Sequence, residues 1–172
     1  LKTQFQDRVV TKRYLTLVHG VFEKSEGEID FPIARSRRSG KMIARPTDME
    51  GKNALTLFSV RKQFSHFTLV DVEIKTGRSH QIRAHMKHLG HQLFHDLEYD
   101  GDRIVKGTTF TKFKQFVDNC FVLLPGQALH AKSLGFVHPK TGEDMLFDSE
   151  LPDNFNEVLD KWRRYAVSAK NS

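Results

Sequence analysis

The amino-acid sequence predicts a mixed α+β fold that is rich in strands, with helices packed on the sheet. Residues 70–75 alternate in polarity, with Val70, Val72 and Ile74 on one face, which is the pattern of a half-buried strand. A stripe of apolar residues at helical spacing lies near the end of the chain, at Phe155, Val158, Leu159 and Trp162. Glycine and proline punctuate the intervening segments and predict turns between the elements.

The first residues predict a helix, because Leu1, Phe5 and Val9 recur at helical spacing. No capping residue precedes Leu1, so we expect this helix to begin upstream and the chain to be an excised portion of a longer protein. Residues 12–20 alternate in polarity and predict a short strand.

Glycine and proline interrupt residues 23–46, which therefore predict a loop. Residues 53–74 predict two strands joined near Lys62, and Thr76 with Gly77 predicts a turn. Ser79 is then expected to cap a helix over residues 80–89, which a glycine ends. The remaining predictions are a loop and a short helix over 102–121, two strands over 127–152, and a closing helix over 153–167.

Composition and charge narrow the possible partners and compartments. The chain has 172 residues, a net charge of +6 and a pI of about 9.5, which indicates a polyanionic partner. An ordinary basic surface is an equal alternative from the charge alone. No apolar run is long enough to cross a membrane. Cys120 is the single cysteine, which excludes a disulfide framework and fits a reducing cytoplasm.

The segment over residues 76–91 concentrates two arginines, one lysine and four histidines. Arg83 is expected at the border between core and solvent, where its planar guanidinium would bind a carboxylate or a phosphate. A structural salt bridge is the alternative interpretation. The spacing of His85, His88 and His91 is not that of H-E-x-x-H, so neither a metal site nor a metal-dependent hydrolase is expected.

The same segment, TGRSHQIRAHMKHLGH, resembles the signature T-G-R-[ST]-H-Q-[IL]-R-x-H of the RluA-type pseudouridine synthases. Two further segments, QFQDRVVTKRYLTLVHG and ALHAKSLGFVHP, resemble other motifs of this family in the family's order. The resemblance implies the pseudouridine synthase fold, a largely antiparallel mixed sheet with flanking helices. It also implies that residues 1–172 are the C-terminal portion of one catalytic domain, truncated at its N-terminal side.

The resemblance implies an enzyme that isomerises uridine to pseudouridine in ribosomal or transfer RNA. The base is flipped out, the C–N glycosidic bond is cleaved, and C5 of the base is attached to the ribose. Because no net redox change occurs, no cofactor is expected. The expected partner is structured RNA, with no membrane and no metal, and the protein is expected to be a cytoplasmic monomer.

Individual positions match the family's site. Tyr14 stands at the tyrosine that stacks on the flipped base, and Arg83 stands at the arginine that pairs with the catalytic aspartate. The other residues expected to line the pocket or contact RNA are Lys12, Arg78, His80, Leu129 and His130. Arg35, Arg37 and Arg38 are expected to contact RNA as well, and a solvated loop is the alternative for this basic run.

The family's catalytic aspartate belongs to an H-R-L-D-x-x-T-S-G segment, which these 172 residues lack. We assign its role to no other aspartate: Asp71, Asp96, Asp100 and Asp102 do not lie in that motif. The chain by itself is therefore expected to be inactive. The alternative function is that of a non-catalytic RNA-binding relative with the same fold.

Overall fold

The structure is a computed structural model that describes residues 1–6, 9–105 and 110–170, with side chains in the last helix given as far as Tyr165. The described residues form a six-stranded sheet, a separate two-stranded hairpin and four helices, which confirms the predicted α+β class. The strands are β1 (Thr11–His19), β2 (Glu26–Asp30), β3 (Ile33–Arg35), β4 (Met42–Ala44), β5 (Leu55–Gln63), β6 (Phe67–Ile74), β7 (Leu129–Val137) and β8 (Asp144–Asp148). The helices are α1 (Lys2–Gln6), α2 (Gln81–His88), α3 (Thr111–Leu123) and α4 (Asp153–Lys170).

Strand β1 lies inside the large sheet, whose order is β2-β5-β6-β1-β7-β8. Tyr14 on β1 pairs with Val72 on β6 and with Ala131 on β7, and every pairing in this sheet is antiparallel. The register shifts beside Tyr14, between it and Arg13, in the pairing with β7. Such an irregularity bends a strand and re-aims its side chains.

Helices cover both faces of the sheet. Successive β1 side chains point to opposite faces, so this strand contributes to a core on each side. Leu15 and Leu17 belong to a core with α3 and α4 that includes the fully buried Trp162. Val18 belongs to a second core, on the side of α2, that includes Met86. Each large apolar side chain that is fully buried contributes roughly 1.5–3 kcal/mol, so these two cores hold α2, α3 and α4 against the sheet.

The predicted loop over residues 23–46 is wrong in part, since it contains β2, β3 and β4. Strand β2 is difficult to recognise because Ile29 is its one fully buried side chain. Gly27 lies directly under the Phe58 ring, and a Cβ atom there would come within 2.9 Å of the ring. A strand can form at this position because glycine leaves room for the neighbouring aromatic side chain.

The opening helix is shorter than its apolar spacing predicts, and Asp7 and Arg8 lie outside the described residues. Leu1, Phe5 and Val9 are about half exposed, so the predicted stripe does not enter the core. The start of the chain is attached instead by the Gln4 side chain, whose Oε1 accepts from the Val137 backbone N–H at 2.8 Å. Residues 106–109 of the loop predicted before α3 also lie outside the described residues.

The closing helix α4 confirms its prediction, with Phe155, Val158, Leu159 and Trp162 buried. Its opposite side is polar and carries an exposed ion pair between Arg163 and Asp160. Across the described part of the chain, no helix combines the length and the apolar character that a bilayer crossing requires.

Candidate functional site

A buried polar network shapes the turn that leads from β6 into α2. Gln81 Oε1 accepts from the Arg78 backbone N–H at 3.0 Å and from the Thr76 hydroxyl at 2.8 Å. Its Nε2 donates to the Leu55 carbonyl oxygen and to the Thr56 hydroxyl, both at 3.0 Å. All four bonding capacities of this buried amide are used, which fixes the turn in one conformation.

The start of α2 differs from the expected cap. Position 80, not Ser79, is the N-cap, and the His80 backbone has a φ of 54°, with no side-chain hydrogen bond to the helix. The left-handed conformation is uncommon for a residue other than glycine. It directs the His80 ring to Tyr99, where Nδ1 lies 3.2 Å from the hydroxyl.

Arg83 is buried against the loop that follows α2. Its Nε donates to Asp96 Oδ2 at 2.8 Å, and its Nη2 donates to Asp96 Oδ1 at 2.7 Å. Nη2 also lies 3.4 Å from the exposed carboxylate of Glu98. The hydrogen bonds that Arg83 donates to Asp96 raise the pKa of Arg83, although burial opposes this. The guanidinium thus has a carboxylate partner within the chain, as the alternative of a structural salt bridge supposed.

A basic cavity of about 990 Å³ adjoins the turn before α2. Among the described residues, six cationic side chains line it: Arg35, Arg37, Arg38, Arg45, Lys52 and Arg78. Arg35 and Arg78 are held by backbone carbonyls, since Arg35 Nη1 donates to Gly40 O at 2.7 Å and Arg78 Nε donates to Asn53 O at 2.8 Å. The concave shape and the concentration of charge suit a polyanion.

Arg45 is a cationic residue of this cavity that sequence reasoning did not select. Its Nε is buried and has no hydrogen-bond partner within the described part of the chain. A buried guanidinium N–H without a partner is costly, and a bound phosphate oxygen would satisfy it. The signal in the sequence was weak, because Arg45 and Lys52 lie on either side of a polar turn without periodicity.

Lys12 connects the surroundings of Arg78 with those of Tyr14. It lines a small cavity of about 210 Å³ together with Arg78 and Gly77. A Cβ atom at Gly77 would lie 3.3 Å from the Lys12 Nζ, which is a tight contact. The absence of a side chain at position 77 therefore leaves room for the ammonium group. Partial burial lowers the pKa of Lys12.

Tyr14 and Lys12 together line a second cavity, of about 320 Å³, which we call the Tyr14 cavity. Its other walls come from β1, β7, β8 and the residue after β8: Arg13, Ala131, Lys132, Ser133, Leu134, Phe147, Asp148 and Ser149. The volume lies at the lower end of the range of about 300–1,000 Å³ that is typical of small-molecule sites. Tyr14 also packs against the core beneath α2, and so does Leu129.

Two of the histidines hold the scaffold around these cavities. His130 Nε2 lies 2.8 Å from the Oγ of Ser149, and Ser149 lines the Tyr14 cavity. His130 therefore contacts the wall of this cavity without lining it. His85 is fully buried between Thr56 Oγ1 at 2.7 Å and the Phe31 carbonyl oxygen at 2.9 Å. Burial lowers the pKa of His85 and favours its neutral form. Within residues 1–6, 9–105 and 110–170, no group of three or more His, Cys, Asp or Glu side chains could hold a metal ion.

The predicted site residues other than His130 fall into three groups. Arg35, Arg37, Arg38 and Arg78 share the basic cavity. Lys12 and Tyr14 share the Tyr14 cavity, with Leu129 packed behind it. His80 and Arg83 lie together at Tyr99, where the Arg83 Cζ is 4.8 Å from the centre of the ring.

Known proteins resemble this chain in sequence. The profile of the family described as RNA pseudouridylate synthase matches residues 1–88. An uncharacterized RNA pseudouridine synthase from Chlorobaculum parvum is 38% identical over 173 residues, which cover 99% of this chain and 53% of that protein. The ribosomal large subunit pseudouridine synthase C of Buchnera aphidicola is 34% identical over 162 residues, which cover 92% of this chain and 48% of that protein. The chain thus spans about half the length of the curated relatives it matches.

A solved structure resembles it as well. The human protein named RNA pseudouridylate synthase domain containing 1 superposes with a TM-score of 0.66 at 26% identity. The superposition covers 88% of this chain and 58% of that one. The arrangement of sheet and helices is therefore a known one.

Proposed function

Because the chain belongs to the RNA pseudouridylate synthase family, we propose that it is part of an enzyme that isomerises uridine to pseudouridine within structured RNA. The observation that carries the proposal is the adjacency of two cavities with different chemistry. The basic cavity suits a phosphate backbone, and the Tyr14 cavity offers an aromatic ring to a single base. The small cavity shares Lys12 with the Tyr14 cavity, and it shares Arg78 with the basic cavity.

The RNA is proposed to cross the basic cavity, with its phosphates neutralised by Arg35, Arg45 and Arg78. Binding of this kind loses affinity as the salt concentration rises, because each phosphate contact releases counterions. The target uridine is proposed to flip out of its stack and to lie against the Tyr14 ring. Lys12, on the wall of the Tyr14 cavity, would contact the phosphate of the flipped nucleotide.

The reaction that follows is an isomerisation. The bond between N1 of uracil and C1′ of ribose breaks, the base turns, and a bond forms between C5 and C1′. C5 loses its proton and N1 gains one, so no electrons are exchanged with a cofactor. The Tyr14 hydroxyl is proposed to assist the removal of the C5 proton.

The nucleophilic carboxylate is proposed to come from a segment outside these 172 residues. Asp96 is unsuited to the role, since both of its oxygens are bound to Arg83 and its side chain is fully buried. Nη1 of Arg83 makes no hydrogen bond to the described residues and is the edge proposed to receive the incoming carboxylate. The 172-residue chain alone is then expected to bind RNA without modifying it.

The relatives favour ribosomal RNA as substrate, since one of them is named for the large ribosomal subunit. Transfer RNA is the second candidate. We propose that the protein is a cytoplasmic monomer. Its single cysteine, Cys120, is buried, and its thiol would stay reduced in that compartment.

The test is an assay of proton release on the full-length protein. RNA labelled with tritium at C5 of uridine loses the label only when C5 is joined to the ribose, so released tritium measures the reaction. Ribosomal and transfer RNA from cells without the gene serve as substrates, and a map of the missing pseudouridines identifies the position. RNA binding with no tritium release from either RNA would favour the non-catalytic alternative.

A further inference from the structure

Tyr99 lies between the Arg83 guanidinium and Met42, which lines the basic cavity, and its side chain contacts both residues. The residue is 2% exposed. Its hydroxyl donates to the Met42 carbonyl oxygen at 2.9 Å, and its ring lies under the Arg83 guanidinium. Because the hydroxyl proton is used on Met42, the His80 Nδ1–H is the donor in the 3.2 Å contact with the same oxygen.

Met42 belongs to the hairpin that carries three of the six cations of the basic cavity. We call residues 33–44, which comprise β3, β4 and their turn, the basic hairpin, since Arg35, Arg37 and Arg38 belong to it. The hairpin is attached to the loop after α2 at two points. One is the hydrogen bond from Tyr99 to Met42, and the other is a hydrogen bond from Lys41 Nζ to the Glu98 carbonyl oxygen.

The same short loop sets the orientation of Arg83. Asp96 binds two nitrogens of the guanidinium, Glu98 approaches from the side, and Tyr99 supports its face. A cation over a tyrosine ring is attracted electrostatically to the ring face. A movement of the basic hairpin must therefore either stretch the bond to the Tyr99 hydroxyl or move the ring beneath Arg83.

We propose that Tyr99 is a positioning residue that couples RNA contact at the basic hairpin to the orientation of Arg83. This inference rests on the proposed function. The hydroxyl holds the hairpin in the position where its arginines meet the RNA. The ring holds the guanidinium in the direction from which it receives the catalytic carboxylate. One side chain thus links the element that is proposed to bind RNA to the residue that is proposed to receive the carboxylate.

The experiment compares two replacements at this position in the full-length protein. Tyr99→Phe removes the hydroxyl and keeps the ring and the packing. Tyr99→Leu removes the ring as well. Tyr165→Phe is the matched control, because Tyr165 lies on α4 against Phe116, away from both cavities. The measurements are tritium release, as kcat and KM separately, and RNA affinity by fluorescence anisotropy.

Tyr99→Phe is expected to raise KM and weaken RNA affinity about fivefold, while kcat stays within about twofold of the unchanged protein. Tyr99→Leu is expected to lower kcat at least about tenfold beyond that. A Tyr99→Phe variant that binds RNA as tightly as the Tyr165→Phe control overturns the proposal, and so does one whose kcat falls while KM is unchanged. Should Tyr99→Leu not fold, Tyr99→Phe alone decides.

Failure of the proposed function gives a different result. If the unchanged protein releases no tritium but binds RNA, the enzymatic assignment fails. The anisotropy of Tyr99→Phe then still decides whether the hydroxyl holds the hairpin.

Discussion

Arg83 and Asp96 form a buried ion pair with two parallel hydrogen bonds, of 2.8 and 2.7 Å. Their side chains are 8% and 0% exposed. Charges in such surroundings are tolerated while they remain paired, because water no longer solvates them. Removal of one partner should therefore cost stability, and removal of Arg83 should also cost activity.

Replacement Asp96→Asn leaves the guanidinium buried without its counter-charge. We expect the free energy of unfolding to fall by about 3–5 kcal/mol, as measured by urea denaturation. The control is Asp160→Asn, which breaks the exposed pair with Arg163 and should cost less than about 1 kcal/mol. Equal losses in the two variants would contradict the importance of burial.

Replacement Arg83→Met in the full-length protein should leave it folded and nearly inactive. The catalytic carboxylate loses its proposed partner, and we expect tritium release to slow at least about 100-fold. Combining Arg83→Met with Asp96→Asn should recover part of the lost stability, because neither charge then remains, without recovering activity. Near-normal activity in the single variant would show that Arg83 serves as scaffold alone.

Replacement Tyr14→Phe separates the ring from its hydroxyl. The ring remains to stack on the base, so RNA affinity should be unchanged, while the loss of a group that assists proton transfer slows the step by about 10²–10⁴-fold. Single-turnover measurements with saturating protein test this. If the rate does not change, the hydroxyl has no chemical role and Tyr14 is a stacking platform.

Replacement Arg45→Gln removes one cation from the basic cavity. RNA affinity should fall for all sequences alike, and the slope of log affinity against log salt should decrease by about 0.7–0.9. Lys114→Gln is the matched control, because Lys114 lies on the exposed side of α3 beside Asp118. The assignment of Arg45 to the RNA path fails if the two variants have the same slope.

Stability should decrease in mild acid because of His19. Burial lowers its pKa from 6.5 to about 4, so between these values the unfolded chain binds a proton that the folded chain does not. Above pH 6.5 the full stability is present, and below it the free energy of unfolding should fall by about 1.4 kcal/mol per pH unit from this residue. His85, whose pKa burial also lowers, adds in the same direction.

Urea denaturation between pH 7 and pH 4.5 measures this slope. His19→Gln should flatten it. A slope in this variant identical to that of the unchanged protein would exclude His19 as the source.

Elements with a strong apolar period could be predicted from the sequence. Strand β6 buries Val70, Val72 and Ile74 in alternation, and helix α4 buries residues at helical spacing. Each of these patterns is local and can be recognised in the sequence. Strand β2 was missed because its place depends on a non-local contact, that of Gly27 with Phe58. Single-sequence patterns carry no information about such contacts.

The sequence indicated part of the candidate site. The arginines at 35, 37, 38 and 78 were selected as RNA contacts, and the structure brings them into one cavity, while their contact with RNA stays a prediction. Asp96 was not recognised as the partner of Arg83, since it lies in an irregular loop 13 residues further on, where no spacing rule applies. Tyr99 was missed for the same reason.

The middle place of β1 in the sheet delays the completion of its pairing until β7 has been synthesised. Its two neighbours, β6 and β7, follow it along the chain at large separations, and closing such long loops is slow. Until β7 leaves the ribosome, one edge of β1 presents open backbone groups that can pair with other chains. This is the stage at which the newly made polypeptide is most exposed to aggregation and most dependent on chaperones.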